Sequence, residues 1–115
     1  MHAATRPAAV AGMFYPADPR ALAGEVDRLL ATVVPRQSAR APKLLVVPHA
    51  GYVYSGPVAA QAYALLAPWR GQIRRVVLLG PTHRVAVRGL AGPTATAFET
   101  CLSMRSGKVS IPISV

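Results

Sequence analysis

The middle of the chain holds the most informative stretch, residues 44–79: LLVVPHAGYVYSGPVAAQAYALLAPWRGQIRRVVLL. Continuous apolar runs at 44–47 and 76–79 each stop at a proline or a glycine-proline pair, which is typical of strands buried on both faces of a parallel sheet. Between them, a helix is predicted over 57–67, with Ser55 or Gly56 as its cap. Strand, helix and strand in this order predict a right-handed βαβ unit.

A second helix is predicted over residues 18–33, before this unit. Asp18 is a suitable N-cap and Pro19 suits the first helical position. The apolar residues that follow lie on one helical face: Leu22, Val26, Leu29 and Leu30. The predicted fold class is therefore α/β, with a mostly parallel sheet and flanking helices.

Length and charge limit the class of protein. The chain has 115 residues, enough for one domain, and its 52% hydrophobic content excludes disorder of the whole chain. Lys and Arg number 13 against 4 Asp and Glu, and no acidic residue occurs between Asp27 and Glu99. Such an excess favours anionic partners. Nucleic acid is not the favoured one, because the basic residues are scattered, lack interleaved aromatic residues and form no recognition motif.

The location is predicted from what the sequence lacks. No apolar run reaches the roughly 18 residues that a membrane span needs, and the first residues do not resemble a secretory signal. The single cysteine, Cys101, cannot form an internal disulfide and has no neighbouring base to activate it. We therefore expect a cytoplasmic protein without membrane contact.

Two histidines are candidates for a shared site. His49 lies two residues after the first predicted strand, and His83 lies four residues after the second. The carboxyl ends of parallel strands meet at one sheet edge, where α/β proteins build their sites, and neighbouring strands are about 4.8 Å apart. Both imidazoles can thus reach one metal ion. The alternative is that each histidine caps a strand end through a hydrogen bond.

Four further polar residues lie beside the histidines in the sequence. Tyr52, Tyr54 and Ser55 follow His49, and tyrosines there can donate a proton or offer a stacking face. Arg84 follows His83 and can hold a carboxylate or phosphate. The alternatives are that the tyrosine rings pack on the helix and that Arg84 is an ordinary surface residue.

Three motifs together resemble the Memo family, which includes protein B of the AmmeMemoRadiSam system. They read Met13-Phe14-Tyr15-Pro16, then PHAGYVYSG from Pro48, then LGPTHR from Leu79. The resemblance runs from about Pro7 to Thr100. We therefore predict that residues 1–100 form the N-terminal part of a Memo-like domain. Residues 101–115 are predicted to be a divergent tail, the product of a truncation or frameshift.

This resemblance implies a partial class III extradiol dioxygenase-like fold, in which iron or copper is held by His49 and His83. Tyr54 matches a tyrosine beside the family's pocket and is the candidate catalytic residue. Tyr52, Ser55 and Arg84 are candidate contacts for a substrate or anion. The family's further ligands belong to a second half, so the metal site is expected to be incomplete here, and whether a full-length relative is an enzyme stays open.

The resemblance also suggests partners. Bacterial members sit beside a radical-SAM protein, and animal members are linked to phosphorylated receptor peptides. The second hypothesis is therefore a non-catalytic module that binds anionic or phosphorylated peptides in the same pocket. Oligomerisation is expected through an exposed sheet edge, because strands 44–47 and 76–79 lack covering neighbours in this sequence.

Overall fold

The computed structural model describes residues 5–36, 38–92, 94–95 and 97–102. Their regular elements are β1 (Thr5–Arg6), α1 (Pro19–Ala31), α2 (Tyr52–Tyr63), a 3-10 helix (Ala64–Trp69) and β2 (Ala97–Phe98). The predicted tail 101–115 lies outside the described residues beyond Leu102. Within the described ranges, no helix has the length and apolar character needed to cross a bilayer.

Helix α1 confirms the prediction made from Asp18 and Pro19. The Asp18 carboxylate accepts a hydrogen bond from the Ala21 backbone N–H at 2.8 Å, so it caps the first turn. Leu22 and Leu29 are buried, as the apolar stripe requires. The helix ends at Ala31 and is capped by Thr32, whose hydroxyl donates to the Leu29 carbonyl at 2.7 Å. Local capping chemistry thus fixes both ends.

Helix α2 begins five residues earlier than predicted, and its cap is Gly51. The prediction of Ser55 or Gly56 as cap is wrong, because it assumed that Pro57 stands at the first helical position. The Gly51 carbonyl accepts from Ser55 N–H at 2.9 Å, and the Tyr52 N–H donates to the carbonyl of Phe14 at 2.8 Å. Pro57 therefore lies inside α2, where its missing N–H removes one backbone hydrogen bond of the helix.

The C-terminal boundary of α2 also differs from the prediction. The α-helix gives way at Ala64 to a 3-10 helix that extends through Pro68 to Trp69. Tight 3-10 turns are common where α-helices end. Pro68 therefore lies inside the 3-10 helix and does not end the helical segment.

Helices α1 and α2 pack most closely where Gly56 meets Leu29. Gly56 is buried, and a Cβ atom built on it would lie 2.8 Å from Cδ1 of Leu29 and 3.3 Å from its Cδ2. Only a glycine allows this approach without displacement of the leucine. The buried apolar side chains of the described residues, Leu22, Leu29 and Ala60, all belong to these two helices. The core is therefore the α1–α2 interface.

Two glycine-to-alanine changes should shift stability in opposite directions. Gly24 lies in α1 with open space around it, so Gly24→Ala should raise the free energy of unfolding by about 0.5–1 kcal/mol through lower backbone entropy of the unfolded chain. Gly56→Ala should lower the free energy of unfolding by about 1 kcal/mol. The steric cost of an added methyl group against Leu29 exceeds the entropic gain from replacing a glycine. Urea denaturation followed by circular dichroism measures both. A stabilised Gly56→Ala variant would contradict the close contact.

The predicted strands at 44–47 and 76–79 are not formed in the structure, and this part of the prediction is wrong. Among the described residues, no hydrogen bond pairs either run with a neighbouring segment. Six of their eight side chains are exposed, among them Val46 at 87% and Leu79 at 71%. Sequence patterns identify runs that can be buried, but a strand exists only where a partner supplies its hydrogen bonds.

The one sheet of the described residues is small and parallel. Strands β1 and β2 pair with Thr5 opposite Ala97 and Arg6 opposite Phe98. The Glu99 N–H extends the ladder by donating to the Arg6 carbonyl at 2.9 Å, and the Arg6 guanidinium lies 5.9 Å from the centre of the Phe98 ring. Two helices with a parallel sheet are compatible with the predicted α/β class.

Candidate functional site

His49 and His83 meet, although the predicted strands that were to bring them together do not pair. Their Nε2 atoms are 3.0 Å apart, and their ring centres are 5.1 Å apart with the ring planes inclined by 52°. Both side chains are exposed. The predicted juxtaposition of the histidines is therefore present in the structure, through the course of the two apolar runs and without a shared ladder.

The 3.0 Å separation fits two arrangements. Two nitrogens bound about 2.05 Å from one ion lie about 2.9 Å apart at a right angle and about 3.3 Å apart at the tetrahedral angle. The observed distance falls between these values. It also fits an ordinary hydrogen bond in which one neutral imidazole donates and the other accepts. The pair is thus arranged for a shared ligand or for mutual hydrogen bonding.

The histidines line an apolar cleft of about 1120 Å³. One wall is the face of α2 that carries Tyr52, Ser55, Ala59 and Ala60, residues spaced so that they share a helical side. Further lining comes from α1, from the two apolar runs and from the segment before α1: Val26, Leu29 and Leu30; Val47, Leu78 and Leu79; Phe14 and Tyr15. The cleft thus brings together the two helices, the two apolar runs and the segment before α1.

Two predicted site residues, one catalytic candidate and one anion contact, lie away from the cleft. Tyr54 and Arg84 are absent from the described lining, and Tyr54 is 82% exposed. Helical geometry explains the exposure of Tyr54, because a residue two positions after Tyr52 points to the opposite side of α2. The predicted helix began only at Pro57, so the sequence placed Tyr54 on no helical face. The predicted catalytic role of Tyr54 stays a prediction.

Tyr52 is held from two directions at the cleft. Its backbone N–H binds the Phe14 carbonyl, and its ring lies 6.0 Å from that of Tyr15 with the planes at 48°. Burial raises the pKa of the Tyr52 phenol above its usual value, and the nearby phenols of Tyr15 and Tyr63 raise it further. Tyr52 therefore keeps its proton to higher pH in the folded chain than in the unfolded chain.

This raised pKa gives a testable pH dependence. Above about pH 10 the unfolded chain ionises Tyr52 first, so the free energy of unfolding should fall as the pH rises towards the folded-state pKa. Tyr52→Phe lacks this titration, so its stability should fall less steeply over that range. Urea melts at a series of alkaline pH values measure the slopes. Tyr54→Phe, which removes an exposed phenol, is the control and should keep the wild-type slope.

Arg6, Phe14 and Tyr15 line the cleft but were not among the predicted site residues. For Phe14 and Tyr15 a signal existed, since their motif was one of the three that carried the family resemblance. The hydrogen bond from the Tyr52 N–H to the Phe14 carbonyl, next to Gly51, brings this motif to the site. Arg6 had no local signal, because it is placed by pairing with β2.

The described residues supply two candidate metal ligands and no third. No group of three or more His, Cys, Asp or Glu side chains comes together in that part of the chain. Catalytic zinc and non-haem iron sites use at least three protein ligands as a rule. The histidine pair therefore fits part of such a site, and the predicted incompleteness of the site stays a prediction.

Comparison with known proteins identifies related sequences. The profile of a family described as "Memo-like protein" matches residues 6–111. A MEMO1 family protein of Pyrobaculum arsenaticum is 37% identical over 112 residues, which cover 92% of this chain and 38% of the relative. A MEMO1 family protein of Aquifex aeolicus is 41% identical over 96 residues, or 83% and 33% of the two chains.

The similarity extends to animals. Protein MEMO1 of Xenopus tropicalis is 37% identical over 97 residues, covering 84% of this chain and 31% of the relative. The chain thus spans about a third of the length of the curated relatives it matches. No solved structure matches it significantly. The profile match continues past Thr100, and the predicted division into 1–100 and 101–115 stays a prediction.

Proposed function

The chain belongs to the Memo family, and we propose that its cleft binds a redox-active metal ion, iron or copper, between His49 and His83. One observation carries the proposal: the two Nε2 atoms lie 3.0 Å apart, a separation that two imidazoles on one ion adopt. Neutral imidazole is a common ligand for both metals. The apolar lining supports it too, since it limits competing polar contacts at the ion.

Three residues of the cleft have roles in this proposal. His49 and His83 hold the ion, which when bound supplies the redox chemistry. Tyr52 keeps a protonated phenol at the cleft and can donate a hydrogen bond to a substrate oxygen, while the buried Ser55 lies on the same wall. A complete domain is proposed to resemble the class III extradiol dioxygenases, with further ligands from its remaining part. A cytoplasmic location and a radical-SAM partner stay predictions.

Titration of the purified chain with metal ions tests the proposal. Isothermal calorimetry with Fe(II) under anaerobic conditions, and competition with a chelating dye for Cu(I), should each give saturable binding. His49→Ala or His83→Ala should weaken that binding about tenfold or more, because each removes one of two protein ligands. His2→Ala removes the third histidine of the sequence and is the matched control.

The competing interpretation predicts a different pattern. If the imidazoles only hydrogen-bond to each other, Fe(II) and Cu(I) show no saturable binding in the wild-type chain. If binding is adventitious, His2→Ala weakens it as much as the cleft variants do. Either result contradicts a metal site at His49 and His83.

A second candidate function is the binding of anionic or phosphorylated peptides, and the charge of the cleft favours it. Arg6 is the one permanently charged side chain in the described lining, and no carboxylate accompanies it. Fluorescence anisotropy with a labelled phosphotyrosine peptide, in chelator and in added Fe(II), separates the two functions. Binding that persists in chelator and weakens in Arg6→Gln supports the peptide module. Absence of binding in both buffers contradicts it.

A further inference from the structure

The cation of the cleft, Arg6, is held in place by two kinds of contact. Its backbone is fixed by the pairing of β1 with β2 and by the hydrogen bond from the Glu99 N–H. Its guanidinium lies 5.9 Å from the centre of the Phe98 ring, and both residues line the cleft. An aromatic face attracts a guanidinium and restricts where it can move. The positive charge is therefore placed at the cleft by the contact between β1 and β2.

Arg6 has no carboxylate partner among the described residues. The one side-chain ion pair in that part of the chain joins Glu25 to Arg28, within α1. The described lining of the cleft contains no aspartate or glutamate. A guanidinium offers a planar fork of N–H donors that matches the two oxygens of a carboxylate. The cleft thus presents one anchored cation whose donors are available to a ligand.

The rest of the cleft limits the kind of ligand that fits this cation. Most of the described lining residues are apolar, and a volume of about 1120 Å³ is near the upper end of small-molecule sites. Neutral hydroxyl groups come from Tyr52 and Ser55, which share one face of α2. One cation and a few hydroxyls in an apolar cleft suit a ligand with an apolar body and one anionic group.

We propose that Arg6 is the charge-selecting residue of the cleft and binds the carboxylate of a small ligand with an apolar body. The guanidinium donates two parallel hydrogen bonds to the carboxylate, and the apolar lining buries the body of the ligand. Phe98 is a positioning residue, because its ring orients the guanidinium. The proposal rests on the proposed function in one respect, that the cleft is the ligand site, and it requires no bound metal.

A carboxylate is favoured over a phosphate by the number of charges. Sites that recognise phosphorylated ligands use clusters of arginines as a rule. The described lining contains one arginine, which matches the single charge of a carboxylate. Phosphate is therefore an arm of the test.

The test uses three probes that share a phenylethyl body and differ in the polar group. They are hydrocinnamate, its neutral amide hydrocinnamamide, and phenethyl phosphate. Isothermal calorimetry in the presence of a chelator excludes binding through a metal ion. Hydrocinnamate should bind saturably, and the amide should bind about tenfold more weakly, because it lacks the charge that Arg6 selects.

Variants of the chain identify the residue responsible for this preference. Arg6→Gln should weaken binding of the acid about tenfold and leave binding of the amide unchanged. Arg6→Lys keeps the charge without the planar fork and should keep part of the preference. Phe98→Leu should reduce the preference for acid over amide, whereas a merely structural role would weaken both probes equally. Arg20→Gln, on α1 and outside the described lining, removes the same charge and is the matched control.

Several outcomes would overturn the proposal. They are equal binding of acid and amide, no saturable binding of the acid, and a loss in Arg20→Gln equal to that in Arg6→Gln. Tighter binding of phenethyl phosphate would assign Arg6 to a phosphorylated ligand. Binding of the acid that appears only when Fe(II) replaces the chelator would place the carboxylate on the metal. Since Arg6→Gln keeps His49 and His83, its metal titration separates failure here from failure of the metal proposal.

Discussion

Leu29→Ala should lower the free energy of unfolding by about 2–4 kcal/mol, which is a large part of the stability of a small domain. Leu29 is 6% exposed and its methyl groups lie against Gly56, so the change leaves a cavity at the centre of the α1–α2 interface. The core among the described residues has few other members to close around it. Urea denaturation followed by circular dichroism measures the loss.

A neighbouring leucine provides the control for this experiment. Leu30 follows Leu29 in α1 but is 38% exposed, so Leu30→Ala should cost about 1 kcal/mol. The double variant Leu29→Ala/Gly56→Ala should be more stable than Leu29→Ala alone, since the alanine at 56 then fills vacated space. Equal losses at Leu29 and Leu30 would contradict the packing described between α1 and α2.

The second large effect concerns metal affinity. This chain should bind Fe(II) or Cu(I) about 100-fold more weakly, or weaker still, than a full-length family member such as the Aquifex aeolicus protein. The reason is the ligand count, because two imidazoles meet in the described residues, whereas catalytic non-haem iron sites use three protein ligands as a rule. Competition with a chelating dye under the same conditions compares the two proteins.

Protein concentration distinguishes the causes of any tight binding. Two copies that pool four histidines would bind more tightly as the chain concentration rises, whereas a single-chain site would not. Sedimentation with and without metal identifies such pooling. Affinity of the monomer equal to that of the full-length relative would contradict the incomplete site.

The sequence predicted those parts of the fold that depend on neighbouring residues. Helix α1 follows from Asp18, Pro19 and a periodic apolar stripe, all within its own span. The start of α2 was misplaced because the Phe14 carbonyl that satisfies it lies far away in the sequence. Pro57 then appeared to be the first residue of the helix, although it lies inside it.

The candidate site was predictable for a different reason. Order along the chain placed His49 and His83 after two similar apolar runs, and the two histidines meet although these runs do not pair as strands. The exposure of the runs was not predictable from composition, because Leu and Val residues are buried only when another segment covers them. Tyr54 lies away from the cleft because the true helix start rotates it to the other face.

The hydrogen bond from the Tyr52 N–H to the Phe14 carbonyl couples the beginning of the chain to the cleft. The first backbone N–H groups of a helix have no acceptor within the helix, so the Phe14 carbonyl caps α2 in place of a side chain. Its release would leave α2 free to unwind from Tyr52, next to His49. The rate at which the Tyr52 amide proton exchanges with solvent therefore reports whether the N-terminal segment contacts α2. Slow exchange in the absence of ligand indicates that this wall of the cleft is already formed.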